Sequence, residues 1–452
     1  MSAFYRVPPE LHRSVCESLL SDESNLDPEG DASGLGTRTV AIFARTSRCL
    51  YGPAVDALWR TIPNVALLLH TMPENCYTQT RSGKYTRFAF TRPLEESDFT
   101  RFHTYARRIR ALANCVHLSD KVLRYFIGPK ALQELATFAN VHQWLILPNL
   151  LKLEYWHGPC SFTILRVIHR LCRPQLRSFV LRTFPLALLK RPPTDLQLYS
   201  LISQGDNDAE EVVMTMLKKV QAICPDLRDF SIAVDEDSKP LVKAILDTAM
   251  SFKHLTSFRC GSTTLPISIP ALVHLALLPN LEVLTFATDR VSWFKTDFLL
   301  LDVKPKSAVF PALRDLAMLS TTLHVPMKVL SYISSRHFAT LSVKVLKPVP
   351  RKHLLPFFYR IRGHKPRRRA LKSISISMDV ARSDGGDGPP DPIKLMTIES
   401  ILRLPGIRVL HLDILCPWDV DDTFLIEVSE CLPHLTALNL GVERPWKEGV
   451  LA

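Results

Sequence analysis

The stretch LPNLEVLTF, Leu278 to Phe286, carries an apolar skeleton of Leu281, Leu284 and Phe286 that recurs nine more times along the chain. The other copies are Leu150/Leu153/Tyr155, Leu176/Phe179/Leu181, Leu227/Phe230/Ile232, Leu255/Phe258/Cys260, Leu313/Leu316/Met318, Phe338/Leu341/Val343, Leu371/Ile374/Ile376, Ile407/Leu410/Leu412 and Leu435/Leu438/Leu440. Successive copies lie 25 to 36 residues apart, except for one gap of 51. A fixed skeleton with elastic spacing is the mark of a solenoid. Each triplet is too short to be a stable strand alone. Neighbouring copies can pair as a parallel sheet, which requires a crossover between them.

The crossovers carry helical spacing at Ile164/Leu165/Ile168/Leu171, at Val212/Val213/Met216/Leu217/Val220 within 209 to 223, and at Met327/Leu330/Ile333. Such stripes bury against the inner side of the strands. The pattern resembles the leucine-rich repeat, which continues to an Asn or Cys three residues after the last apolar position. Here that position holds Gly158, Thr263, Asp289 and Glu443, so the repeats read as irregular and without an asparagine ladder.

At 452 residues the chain exceeds one ordinary globular core, and the repeats favour one extended array over two or three domains. A 46% apolar and 22% charged composition excludes wholesale disorder. No export signal and no run of 18 uncharged apolar residues is present. The expected location is therefore cytoplasmic or nuclear, away from membranes. Ten cysteines without a C-x-x-C pair, with Cys172, Cys224, Cys260 and Cys431 on periodic apolar positions, read as reduced core thiols. The formal charge of +12 permits acidic partners and narrows little else.

Residues 7 to 20 read as a helix entered through Pro9, with Glu10 complementing its dipole and Leu11, Val15 and Leu19 as an apolar stripe. Residues 21 to 38 read as an acidic loop. From Thr39 two short helices follow, punctuated at Gly52 and Pro53. Pro8, Glu10, Leu11, Val15 and Leu19/Leu20, then Ala44 to Arg48, then Ala57 to Arg60, resemble an F-box over about 55 residues. The segment from Tyr85 to Leu112 alternates at Phe88/Phe90 and then turns helical at Phe99, Phe102, Tyr105 and Ile109. With it, the chain is similar nearly throughout to the F-box proteins with irregular leucine-rich repeats that are abundant in mushroom-forming fungi.

The expected architecture is α/β. A three-helix F-box-like module occupies 5 to 65 and a linker 66 to 108. A solenoid with a parallel sheet on one face and helices on the other occupies 109 to 452. Residues 190 to 208 and 382 to 392 read as inserted loops. The chain stops twelve residues after Leu440 with no polar capping helix, so the C-terminal end is expected to be incomplete.

No phosphate loop, dinucleotide turn, zinc helix or nucleophile elbow occurs, so neither an enzyme nor a cofactor is expected. Gly34-Leu35-Gly36 and Asp235-Glu236-Asp237 read as turns. The cluster Arg360, Arg362, His364, Lys365, Arg367, Arg368, Arg369 and Lys372 reads as a solvated inter-repeat loop, since it lacks aromatic residues interleaved for base stacking. Phe357, Phe358 and Tyr359 before it read as helical core.

The resemblance implies a substrate-recognition adaptor that docks a Skp-type linker and through it a cullin-RING ubiquitin ligase. The docking residues would be Pro8, Pro9, Leu11, Val15, Leu19, Leu20, Leu58 and Trp59, although Leu58 and Trp59 also read as core of the third helix. The repeat register leaves the spacers facing outward: Lys152/Glu154, Ser178/Val180, Asp229/Ser231, Val283/Thr285, Asp315/Ala317 and Val409/His411. Of these Lys152, Glu154, Asp229, Thr285, Asp315 and His411 are the expected substrate-protein face. Two alternatives remain open on the sequence: a repeat scaffold that recruits no ligase, and a basic nucleic-acid-associated protein using 360 to 372.

Overall fold

The structure is a computed structural model that describes residues 7–22, 35–82, 85–113, 125–157, 165, 168–183, 209–232, 239–260, 267–288, 309–346, 351–363, 370–378, 393, 395–414 and 418–441. The chain forms two compact units, Met1–Leu227 and Arg228–Ala452.

The first unit opens with three helices, α1 (Pro9–Asp22), α2 (Leu35–Thr46) and α3 (Arg48–Arg60). They share a small core of Cys16, Val40, Ala54 and Ala57, against which Leu19, Leu20, Phe43, Ala44 and Leu58 pack. Two expectations are corrected here. Helix α2 begins at Leu35, inside the expected loop of 21 to 38, whose residues 23–34 lie outside the described residues. Gly52 and Pro53 do not divide α3, which runs through both. Proline removes one ladder hydrogen bond there, and burial of Leu50, Ala54, Val55 and Ala57 along the same helix outweighs the loss.

Four short strands follow in parallel: β1 (Thr61–Ile62), β4 (Ala111–Ala113), β6 (Lys152–His157) and β7 (Ser178–Thr183). Their register aligns Thr61 with Ala111, Ala111 with Lys152 and Lys152 with Ser178. Beside this row lies a three-stranded sheet. In it β2 (Tyr77–Ser82) and β3 (Tyr85–Phe90) are antiparallel, and β5 (Tyr125–Ile127) runs parallel to β3. The helix expected over 209 to 223 is present as Ala209–Ile223, and it buries Val213, Met216, Leu217 and Val220.

The second unit is a run of eight parallel strands: β8 (Asp229–Ile232), β9 (Ser257–Cys260), β10 (Val283–Thr288), β11 (Asp315–Ser320), β12 (Thr340–Val345), β13 (Ser373–Met378), β14 (Val409–Asp413) and β15 (Ala437–Asn439). Between them the chain returns through helices Lys239–Ser251, Ile269–Leu277, His324–Tyr332, Arg351–Arg362, Leu395–Leu402 and Asp422–Cys431. The apolar skeleton stacks in phase. Leu284 pairs with Phe258 and Leu316, Leu316 with Leu341, Leu341 with Ile374, Ile374 with Leu410 and Leu410 with Leu438. Period-two alternation turns these positions inward, and Leu284, Leu341, Ile374 and Leu410 are fully buried. The fold is thus an α/β solenoid with parallel strands along one face and helical returns on the other.

Departures from the expected burial have local causes. Cys431, the last residue of the helix that buries Phe424 and Val428, is exposed. Tyr359 is exposed while Phe357 and Phe358 are buried, since consecutive helical positions point about 100° apart. Leu438, inward by register, is 36% exposed on β15, which among the described residues has a neighbouring strand on one side only. Val180 and Ser231, read as outward spacers, are 4% exposed each. Residues 158, 263, 289 and 443, and the loops of 190 to 208 and 382 to 392, lie outside the described residues.

Candidate functional site

Two surfaces collect the residues that the sequence singles out. The first is on α1. Its inward side carries His12, 6% exposed, and Cys16, 1% exposed, with Leu19 and Leu20 partly covered. Burial and the nearby Glu17 carboxylate raise the Cys16 thiol above its ordinary pKa, as expected of a core thiol. One helical turn apart on the other side stand Leu11, 56% exposed, and Val15, 53% exposed. Both are apolar, and neither belongs to the three-helix core. Pro8 and Pro9 are exposed at the start of the same helix.

The eight expected docking residues therefore divide. Pro8, Pro9, Leu11 and Val15 form an outward strip along α1. Leu19, Leu20 and Leu58 are half-buried around the core. Trp59 is half-buried, with its ring centroid 4.5 Å from that of Tyr105. The module is clamped by charge as well. Asp56 accepts from Arg13 at 2.9 Å and also pairs with Arg108, and Glu17 pairs with Arg60 at 2.6 Å. The apolar strip is consequently held on a scaffold fixed at several points within the first unit.

The second surface is the outward side of the strands. Lys152, Glu154, Asp229, Thr285, Asp315 and His411 are all half-buried there. In the first unit the Lys152 ammonium lies 3.1 Å from Glu154. In the second, Arg259 lies 3.6 Å from Asp229, and register places Thr285, Ala317, Ser342, Ser375, His411 and Asn439 in one row across six strands. The middle of this face is small and hydroxyl-rich. It offers hydrogen-bonding groups and close approach of a partner backbone.

Among the described residues, no three His, Cys, Asp or Glu side chains are grouped as a metal site, and no helix is long and apolar enough to cross a membrane. An open groove beside helix Ala209–Ile223 is lined by Leu165, His169, Glu211, Thr215 and Lys219. Leu165 belongs to a helical stripe read in the sequence, whereas His169, Glu211, Thr215 and Lys219 had not been singled out. The sequence reading also missed a feature of the second unit: the residues leading into successive strands stand in a row rich in arginine and lysine. They lie too far apart in the chain to appear as a cluster.

No family model matches the chain, and no curated protein matches it. It is similar to a chain of the crystal structure of the Rad7 and Elc1 complex in yeast, at 12% identity, covering 98% of this chain and 92% of that one with a TM-score of 0.43. That likeness is too loose to bear on function.

Proposed function

We propose that this protein is a non-catalytic adaptor. Its three-helix module docks a Skp-type linker protein of a cullin-RING ubiquitin ligase, and its strand face holds a target protein for ubiquitin transfer. The observation that carries this reading is the pair Leu11 and Val15, two large apolar side chains more than half exposed on a helix that already has a formed core on its other side. A small module that leaves such a strip uncovered has material for an interface. Burying each of these side chains against a partner contributes about 1.5 to 3 kcal/mol.

The adaptor acts by proximity: holding a target near the transferring enzyme raises its effective concentration without chemistry of its own. The residues assigned to the linker are Pro8, Pro9, Leu11 and Val15, with Leu19, Leu20, Leu58 and Trp59 behind them setting the strip's shape. The target would be held by the outward strand positions of each unit, Lys152 and Glu154 in the first and Asp229, Thr285, Asp315 and His411 in the second. Its mixture of small polar and apolar side chains suits protein better than a phosphate backbone, which calls for a dense basic stripe. The working place of such an adaptor is the cytoplasm or nucleus. Co-expression with a Skp-type linker followed by size-exclusion chromatography tests the reading. A stable one-to-one complex is expected, and separate elution of the two chains would reject it.

A further inference from the structure

We infer that the leading edge of the second unit's strands is a docking site for an acidic, extended polypeptide segment of another protein. Each strand there is preceded by a residue whose N–H donates to the carbonyl of the equivalent residue one strand back. Thr256 donates to Arg228, Glu282 to Thr256, Arg314 to Glu282, Ala339 to Arg314, Lys372 to Ala339, Arg408 to Lys372 and Thr436 to Arg408, all at 2.7 to 2.8 Å. These eight residues therefore form one ladder across eight strands, with neighbouring rungs about 4.8 Å apart. Arg228, Arg314, Lys372 and Arg408 bring four cations to it, against the single anion Glu282. All five are exposed.

The helix Arg351–Arg362, which precedes β13, carries the exposed Arg360 in its last turn. Residues 364–369 of the basic sequence cluster lie outside the described residues and form no part of the site.

On this edge cations outnumber carboxylates four to one. Elsewhere in the unit Arg259 sits beside Asp229 and Arg403 beside Glu399. On the edge, Arg314 lies 3.7 Å from Glu282. Arg228, Arg360, Lys372 and Arg408 have no carboxylate partner among the described residues. Lys372 and Arg408 stand on adjacent rungs, and Arg314 stands two rungs from Lys372. The uncharged rungs are small: Thr256 and Ala339 between cations, and Thr436 after Arg408.

That arrangement fits carboxylates borne at intervals on an extended chain, each meeting a cation of the row. It fits a nucleic acid less well. The row has no aromatic side chain on which a base could stack, and Glu282 interrupts it where a phosphate backbone would need an unbroken track. The edge residues all belong to the second unit and the linker-docking strip to the first, so loss of one leaves the other intact.

The test is fluorescence anisotropy of the full chain with a labelled Glu-rich peptide, a matched Gln-rich peptide and oligothymidylate. The Glu-rich peptide should bind in a salt-sensitive manner and the Gln-rich peptide should not. Lys372→Gln with Arg408→Gln should weaken binding by about tenfold or more. The charge-keeping pair Lys372→Arg with Arg408→Lys should bind as the unchanged protein does, which separates lost charge from lost fold. Equal binding of both peptides, an unaffected Gln pair, or tighter binding of oligothymidylate than of the Glu-rich peptide would each overturn the inference.

Discussion

Trp59, near the end of α3, lies against Tyr105, their ring centroids 4.5 Å apart with 39° between the planes. The contact ties the three-helix module to the helix Thr100–Ala106 that follows it, and Asp56 reinforces the tie by pairing with Arg13 of α1 and with Arg108 just past that helix. The module is therefore braced on its own unit. Trp59→Ala should lower stability by about 2 kcal/mol, less than a fully buried tryptophan because the ring is half-buried. Chemical denaturation of wild type and variant measures it, and Trp59→Phe should recover most of the loss.

The repeat register makes a sharper comparison. Leu284 is fully buried and Thr285, the next residue of β10, is half-buried on the outward side. Leu284→Asp should cost more than about 4 kcal/mol, combining a lost core side chain with a buried charge. Thr285→Asp should cost less than about 1 kcal/mol. Equal losses in urea unfolding would refute the inward and outward assignment.

Acid sensitivity follows from Asp98, whose side chain is 2% exposed. It accepts from Arg92 at 2.7 and 2.9 Å and from the Glu95 N–H at 2.9 Å. Burial by itself would raise this carboxyl, but the guanidinium and the N–H outweigh burial and hold it below its ordinary pKa. A carboxyl depressed in the folded state stabilises the protein above its unfolded pKa, and that contribution is lost as pH falls through the folded value. Asp98→Asn should therefore cost about 2 to 3 kcal/mol at neutral pH. The gap from wild type should narrow as pH drops through the carboxylate range in unfolding curves taken across pH.

The target face yields a prediction about selection. Charge reversal at Lys152, Glu154, Asp229 and Asp315 should change the set of proteins captured in proximity labelling while leaving the unfolding midpoint nearly unchanged, since exposed and half-exposed ion pairs contribute about 0 to 1 kcal/mol each. An unchanged set would remove these residues from the target site.

Much of this fold is legible in the sequence because the inward positions repeat at a short, fixed spacing within each copy. Phe230, Phe258, Leu284, Leu316, Leu341, Ile374 and Leu410 were aligned by pattern alone, and the strands pair them in that register. The strands β1 and β4 were not legible: at two and three residues they are too short to show a period. Nor was the path of α3 through Gly52 and Pro53, where tertiary burial overrides local breaking signals. On the docking helix, the stripe of Leu11, Val15 and Leu19 was legible as amphipathic. Its division was not: His12 and Cys16 occupy the inward side, while Leu11 and Val15 face outward. The leading-edge cations escaped notice for a different reason. Arg314, Lys372 and Arg408 become neighbours only when the strands stack.

The central claim is that the apolar strip on α1 takes a linker protein. Leu11→Asp with Val15→Asp replaces two exposed apolar side chains without touching the core of Cys16, Val40, Ala54 and Ala57. The decisive measurement is the affinity of a Skp-type linker for wild type and for this double variant by titration calorimetry. The account predicts a loss of about 3 to 6 kcal/mol, or more than a hundredfold in Kd, with an unaltered unfolding midpoint. A double variant that binds the linker as tightly as wild type would contradict it.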